Sequence, residues 1–145
     1  MVRKHMIKQL SVFLENKPGR LARISKALEE EGINILAFSI AEADGFGVIR
    51  ALVDDPDKAH NKLVEMGFTV SFTEVIAVQM RDEPGGLFEV ASILGDENIN
   101  IDYSYAFSGR KAAVLILRVD KVEEAIRNLV SRGIRLLEEK DLTSD

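Results

Sequence analysis

Two short motifs in the sequence place amide and backbone groups where a small charged molecule could bind. The first is Asn16-Lys-Pro-Gly-Arg-Leu21, in which a Pro-Gly turn precedes a helical pattern. Such a turn leaves backbone N–H groups at the start of a helix, where they and the helix dipole favour an anion such as an α-carboxylate. The second motif is Ile33-Asn-Ile35. Asn16 and Asn34 offer both donors and acceptors, which suits the carboxylate and ammonium groups of a zwitterion.

Residue types that carry catalysis are scarce in the sequence. Cysteine is absent, which excludes disulfides, thiol catalysis and Cys-ligated metals. His5 and His60 stand alone at no metal-ligand spacing, and helix capping explains the acidic run Asp54-Asp55 with Asp57. The sequence contains no pattern of a nucleophile with a base, no catalytic carboxylate pair and no metal set. We therefore expect a protein that is not an enzyme and that needs no cofactor or metal.

Composition and charge exclude further classes of protein. The chain has 145 residues, 46% of them hydrophobic, which is enough to bury a core. Its formal charge is −5 with no basic run, which argues against nucleic acid as a partner. No stretch reaches the roughly 20 apolar residues that span a bilayer, and the apolar segment Leu10–Leu14 is too short for a signal peptide. We expect a cytoplasmic protein with no membrane partner.

An internal repeat organises the rest of the chain. Shifting the sequence by 66 positions aligns residues 16–70 with residues 82–136 without a gap, and 15 of the 55 pairs are identical. The identities include Pro18 with Pro84, Gly19 with Gly85 and Asn34 with Asn100, together with periodic apolar positions. Because these are the positions that a shared backbone would constrain, the sequence predicts two copies of one structural unit.

Each copy has the same predicted order of elements, β-α-β-β-α-β. Alternating apolar residues predict strands, apolar residues at helical spacing predict two helices, and Asp44-Gly45 predicts a hairpin whose counterpart is Ser108-Gly109. Asp54 or Asp55 is predicted to cap the second helix of the first copy, and Asp120 with Glu123 predicts a capping box in the second. A final strand is predicted over 68–74 and again over 134–138. The predicted fold class is α+β, with two tandem ferredoxin-like βαββαβ units, antiparallel sheets and helices on one face, over residues 6–74 and 75–145.

The strand–Asn/Asp-x-Pro-Gly-x-Leu–helix–Ile-Asn-Ile–strand signature in both copies resembles the ACT domain family. The first loop is particularly similar to that of the regulatory domain of phosphoglycerate dehydrogenase. The resemblance covers nearly the whole chain as two tandem copies and leaves no room for an attached catalytic domain. It implies a protein that binds an amino acid or another small ligand where two such domains meet, and that regulates an enzyme or transporter in trans. It also implies a homodimer, because sites of this family often form between subunits.

The resemblance implies the following set of ligand-binding residues. Asn16 and Asn34 would contact the ligand in the first copy, and Asp82 and Asn100 in the second. Two departures make the copies unequal, since Asp82 replaces an asparagine and Gly86 replaces Arg20. The first copy, or a site shared between copies, is therefore favoured. The full set is Asn16, Pro18, Gly19, Arg20, Leu21, Asn34, Ile35, Asp82, Gly85, Gly86, Leu87, Asn100 and Ile101.

Each candidate also has a purely structural interpretation. Asn16 and Asp82 are residue types that form turns or cap helices, and Asn34 and Asn100 can satisfy backbone groups at a strand end. Tyr103, Tyr105 and Phe107 share one face of a strand, where packing is favoured over the wall of a ligand pocket. At the level of the whole protein, a regulatory sensor of an amino acid competes with a module that mediates oligomerisation or protein interaction without a ligand.

Overall fold

The computed structural model describes residues 2–108 and 113–143 of the chain. Contacts divide the chain into two compact units, a first unit of residues 8–73 and a second unit of residues 1–7 with 74–145. The elements in chain order are a 3-10 helix (Val2–His5), β1 (Ile7–Glu15), α1 (Arg20–Glu30), β2 (Ile35–Ala43), β3 (Phe46–Val53), α2 (Pro56–Glu65), β4 (Thr69–Met80), α3 (Gly86–Asp96), β5 (Ile101–Ser108), β6 (Ala113–Val119), α4 (Val122–Ser131) and α5 (Glu139–Thr143).

The first unit is an antiparallel sheet with α1 and α2 on one face. Its strands lie in the order β2-β3-β1, with the beginning of β4 beside β1. Leu10 pairs with Ala51 and Val12 with Ile49, so alternate residues of neighbouring strands present their apolar side chains to the same face. The apolar stripes of both helices complete this core. Its buried members are Leu10, Val12, Ile24, Leu28, Ile33, Ile49, Ala51, Val53, Ala59 and Leu63.

The second unit repeats this arrangement with strands in the order β4-β6-β5 and with α3 and α4. The predicted strand over 134–138 is reduced to a single bridge between Leu136 and Val78, flanked by two backbone hydrogen bonds to β4. The predicted α+β class with two ferredoxin-like units is confirmed. The buried core consists of Ile76, Val78, Val90, Ile93, Leu94, Ile99, Leu115, Leu117, Val119, Ala125, Ile126, Leu129 and Leu136.

The hairpin predicted at Asp44-Gly45 is confirmed. Both residues have positive φ angles, 53° and 84°, as in the type I′ turn whose twist matches the two flanking strands. The carboxylate of Glu42 accepts a hydrogen bond of 2.9 Å from the N–H of Gly45. The corresponding turn predicted at Ser108-Gly109 includes Gly109, which lies outside the described residues.

A reciprocal pair of hydrogen bonds joins the start of β2 to the end of β3. The N–H of Asn34 donates to Oδ1 of Asp54 at 3.0 Å, and the N–H of Asp54 donates to the carbonyl of Asn34 at 3.1 Å. Asn100 and Asp120 form the same pair in the second unit, at 3.0 and 3.2 Å. The capping box predicted at Asp120 is therefore wrong. The N-cap of α4 is Lys121, which makes no side-chain cap hydrogen bond, because the Asp120 carboxylate is used at the strand end.

We expect Asp54→Ala to lower the free energy of unfolding by about 0.5–1.5 kcal/mol, because the N–H of Asn34 loses its acceptor. Asp54→Asn keeps an acceptor oxygen and should stay within about 0.5 kcal/mol of the wild type. Urea unfolding of the full chain measures both values. Asp120→Ala is the matched change in the second unit and should give a similar loss. Equal stability of Asp54→Ala and Asp54→Asn would contradict a structural role for this hydrogen bond.

Candidate ligand-binding site

The turn that precedes α1 leaves two backbone donors free. Gly19 is the N-cap residue and has a left-handed φ of 89°, with no side-chain cap. The N–H of Arg20 donates to the carbonyl of Lys17 at 3.2 Å. Within the described residues, the N–H groups of Leu21 and Ala22 have no acceptor. These groups lie at the positive end of the helix dipole, where an anion can accept both hydrogen bonds.

Asn16 lies next to this turn and does not cap α1. Its own N–H donates to the carbonyl of Gly45 at 2.9 Å, which fixes the backbone at the end of β1. Its side chain is exposed, and it makes no hydrogen bond to the part of the chain that the structure describes. The helix-cap alternative for Asn16 is therefore wrong. The amide is free to act as both donor and acceptor toward a ligand.

Basic side chains surround the start of α1. Lys17 forms an ion pair of 3.0 Å with Glu15, and Arg20 and Arg23 occupy the first turns of the helix. The hydrogen bond and charge of Lys17, followed by the charge of Arg20, hold the pKa of the Glu15 carboxyl below its ordinary value. Lys17, Arg20 and Arg23 together place more basic than acidic side chains at the start of α1.

Asn34 lies at the other end of the first unit. It borders an open depression of about 420 Å³ together with Ser25, Glu29, Gly32, Ile33 and Ile35. Ser25 and Glu29 were not predicted as site residues, although they lie one turn apart on α1 and so share a face. The side chain of Asn34 is exposed and, among the described residues, unpaired. Glu29 and Asn34 supply oxygen atoms to this depression.

The structure does not bring Asn16 and Asn34 of one unit together. The N–H of Asn16 donates a hydrogen bond to Gly45, just before β3 begins, whereas the N–H of Asn34 donates to Asp54, just after β3 ends. Nine residue steps of strand correspond to roughly 25–30 Å. One ligand molecule of amino acid size cannot contact both side chains of the same unit.

The second unit reproduces the backbone of the turn with different side chains around it. Gly85 is the N-cap of α3, with a φ of 93°, and the N–H of Gly86 donates to the carbonyl of Glu83 at 3.1 Å. Asp82 is exposed and is not the N-cap residue, so the cap alternative is wrong for Asp82 as well. At the other end of the unit, Nδ2 of Asn100 donates to Asp102 at 3.1 Å, so this amide is already engaged, unlike that of Asn34.

Gly86 has a structural reason to be a glycine. A Cβ atom at this position would lie 2.1 Å from the carbonyl oxygen of Arg81 and 3.3 Å from the Met80 side chain. The backbone of the second turn therefore approaches the end of β4 more closely than any side chain allows. The replacement of Arg20 by Gly86 between the copies follows from this contact.

The side chains of His60, Asp55 and Asp57, which could have suggested a metal or catalytic site, have structural partners. His60 stacks on Phe72 with ring centroids 4.8 Å apart. Asp55 caps α2 by accepting from the N–H of Lys58 at 3.2 Å, and Asp57 pairs with Lys8 at 3.0 Å. No group of three or more acidic or histidine side chains in the described residues is placed to hold a metal ion.

The aromatic residues of β5 share one face, as predicted. Tyr105 lies opposite Ile116 and Phe107 opposite Val114 on β6, whereas the helix-side core receives the alternate residues Leu115 and Leu117. These half-buried rings therefore lie on the face of the sheet that is turned away from α3 and α4.

Among the described residues, no helix is long and apolar enough to cross a membrane.

Comparison with known proteins identifies the family of the chain. The family model described as the ACT domain pair matches residues 5–144. The chain belongs to the ACT domain pair family. The two units described above are thus its two ACT units, and the resemblance inferred from the Pro-Gly and Ile-Asn-Ile motifs is confirmed. No curated protein matches the sequence.

Solved structures share the architecture. A protein from Bacteroides thetaiotaomicron is 37% identical, with a TM-score of 0.91, over 97% of this chain and 98% of that one. The regulatory subunit of aspartate kinase from Thermus thermophilus, in a ligand-free form, has a TM-score of 0.64 and 15% identity over 88% of this chain and 94% of that one. A structure of aspartokinase alpha and beta subunits has a TM-score of 0.61 and 20% identity, covering 90% and 93%. The last two show likeness of fold.

We expect Gly86→Ala to lower the free energy of unfolding by about 1–3 kcal/mol, because the added methyl group overlaps the Arg81 carbonyl. Gly95→Ala is the matched control on the same helix, where nothing lies within 4 Å of the added atom. It should raise stability by up to about 1 kcal/mol, as alanine favours the helix over glycine. Chemical unfolding of the two ACT units in the intact chain measures both changes. A neutral Gly86→Ala variant would refute the close approach.

Proposed function

We propose that this ACT domain pair is a regulatory protein that binds an amino acid at the start of α1 in the first ACT unit. The observation that carries the proposal is the pair of N–H groups of Leu21 and Ala22, which have no acceptor among the described residues and lie at the end of the unit that carries Arg20 and Arg23. The chain would act in trans, in the cytoplasm, on a separate enzyme or transporter. Membership of the ACT domain pair family and the fold shared with regulatory subunits support a regulatory role.

The two charged groups of the zwitterion are proposed to contact different atoms of the site. The α-carboxylate accepts from the N–H groups of Leu21 and Ala22 and from the guanidinium of Arg20, since charge-assisted hydrogen bonds are the stronger ones. The ammonium group donates to Oδ1 of Asn16. Pro18 and Gly19 contribute by shaping the turn, because the left-handed φ of Gly19 directs the free amides outward.

Asn34 and Ile35 belong to a second proposed contact region, the depression at the far end of the same unit. They reach the same ligand as Asn16 only when a second copy of the chain supplies them. In the second ACT unit, Asp82, Gly85, Gly86, Leu87, Asn100 and Ile101 are the equivalent positions. The first unit is favoured over the second because Gly86 lacks the guanidinium that Arg20 offers to the carboxylate, and because Asn100 is already hydrogen-bonded.

A ligand regulates only if it binds two states of the protein with different affinity. The affinity ratio sets the coupling free energy, typically about 1–3 kcal/mol between an effector and its target site. A free-standing ACT domain pair would transmit this energy through its own assembly or through a complex with the regulated protein. We propose that it forms at least a homodimer.

A thermal-shift screen of the wild-type chain with the twenty amino acids tests the proposal. A ligand present at 100 times its dissociation constant adds about 2.7 kcal/mol of stability and raises the melting temperature measurably. The responding amino acid is then titrated calorimetrically against Asn16→Ala and Arg20→Ala, each expected to weaken binding about tenfold or more. The carboxamide derivative of the responder should also fail to bind, because it lacks the anionic end.

Matched variants locate the site. Arg127→Ala removes an exposed arginine from α4 and should leave binding unchanged, as should Asp82→Ala in the second unit. A loss of binding in Asn34→Ala as well as Asn16→Ala indicates a site shared by two copies, whereas a loss in Asn16→Ala alone indicates the α1 end of one unit. If no amino acid stabilises the chain, the ligand-independent interaction module replaces the sensor as the preferred function.

A further inference from the structure

The two equivalent helix starts carry opposite charge. At the α1 end, Glu15, Lys17, Arg20 and Arg23 give one acidic and three basic side chains, a formal charge of +2. The positions 66 residues later give the α3 end, and they are Arg81, Glu83, Gly86 and Glu89, while Asp82 replaces Asn16. The α3 end therefore has one basic and three acidic side chains, a formal charge of −2.

Each helix start has an ion pair at equivalent positions, with the acidic and the basic residue exchanged between the units. Lys17 pairs with Glu15 in the first unit, whereas Arg81 pairs with Glu83 in the second. Nζ of Lys17 and Oε2 of Glu15 are 3.0 Å apart, and Arg81 also reaches Oε2 of Glu89 at 3.4 Å. All of these side chains are about half exposed, so their charge acts on the surroundings. Both turns share a left-handed N-cap glycine and the hydrogen bond that follows it, while the side chains around them differ in sign.

Both ends also expose large apolar side chains beside the charges. Phe46, which lies opposite Glu15 on the neighbouring strand, is 68% exposed. On the first turn of α3, Leu87 is 56% and Phe88 is 74% exposed. Exposed apolar residues rimmed by charges are typical of surfaces that bind another protein. Each end thus combines exposed apolar side chains with a net charge of one sign.

We propose that the α1 end of one copy of this chain binds the α3 end of a second copy. The occupant follows from charge complementarity, because the chain itself presents both a +2 and a −2 surface. Such an arrangement steers the two copies together and sets their register, while like ends repel each other. The contact joins unlike surfaces, so it is heterologous in the sense of symmetry.

The docking does not depend on the proposed amino acid site, but the two would compete. Glu83 and Glu89 of the second copy would approach Arg20 and Arg23, in the region where the ligand carboxylate is proposed to bind. A ligand at the α1 end would then weaken self-association. Ligand binding and the assembly state would be linked with opposite sign.

Two charge-reversed variants test the docking. Arg20→Glu with Arg23→Glu changes the α1 end from +2 to −2, and Glu83→Lys with Glu89→Lys changes the α3 end from −2 to +2. Sedimentation equilibrium of the full chain, without added ligand, measures self-association of each. We expect each variant alone to associate at least about 100-fold more weakly than the wild type, because its two ends now repel. Raising the salt from 0.05 to 1 M should weaken the wild-type assembly, since the screening length falls to about 3 Å.

The decisive measurement is an equimolar mixture of the two variants. The reversed α1 end of one variant faces the reversed α3 end of the other, so mixing should restore wild-type association and also shows that both proteins are folded. Lys26→Glu with Arg132→Glu, and Glu30→Lys with Glu65→Lys, carry the same net changes at exposed positions elsewhere and should associate like the wild type. A monomeric wild type, unaffected variants, or a mixture that stays dissociated would each overturn the proposal.

Discussion

The conformation of one glycine at the start of each first helix determines the rest of the candidate site. Gly19 and Gly85 have φ angles of 89° and 93°, a region that L side chains with a Cβ rarely adopt. The turn ends the first strand of each unit and starts its first helix without a side-chain cap, and in the first unit the N–H groups of Leu21 and Ala22 have no acceptor among the described residues. A side-chain cap would accept a hydrogen bond from one of these two N–H groups and leave fewer donors for a ligand. The same feature that builds the fold therefore creates the binding potential.

Much of this could be predicted from the sequence because it depends on local rules. Pro-Gly turns, the Asp44-Gly45 hairpin and the apolar periodicities act over a few residues and specify the elements directly. The repeat added a check, since each element had to occur twice. The role of Asp120 could not be predicted from its neighbours, because a carboxylate before a helix satisfies the capping pattern as well as a long-range bond to Asn100.

The geometry of the site was less predictable because it also depends on contacts between residues that are far apart in the sequence. Asn16 and Asn34 are 18 residues apart in the sequence and flank one predicted helix, which suggests a common site. Asn16 is hydrogen-bonded to Gly45, just before β3, and Asn34 to Asp54, just after it, so the length of β3 separates the two asparagines. Sequence distance carries no information about which end of a strand a residue occupies once the chain has crossed the helix. Gly86 is similar, since the Arg81 carbonyl that excludes a side chain is visible only in three dimensions.

The two ACT units retained their backbone while their charges diverged, and this contrast separates structural from functional constraints. The glycines that start each first helix and the aspartates that pair each strand end are identical in both copies, as Gly19, Gly85, Asp54 and Asp120 illustrate. Exposed charges at the helix starts face no such constraint, because substitutions on a solvated surface usually change stability by less than about 0.5 kcal/mol. Their inversion therefore has little effect on the fold and a large effect on what each end attracts. Under the proposed docking, an anion bound at the α1 end would change the association of the chain by competing with the α3 end of a second copy, and such a response needs no catalytic residue.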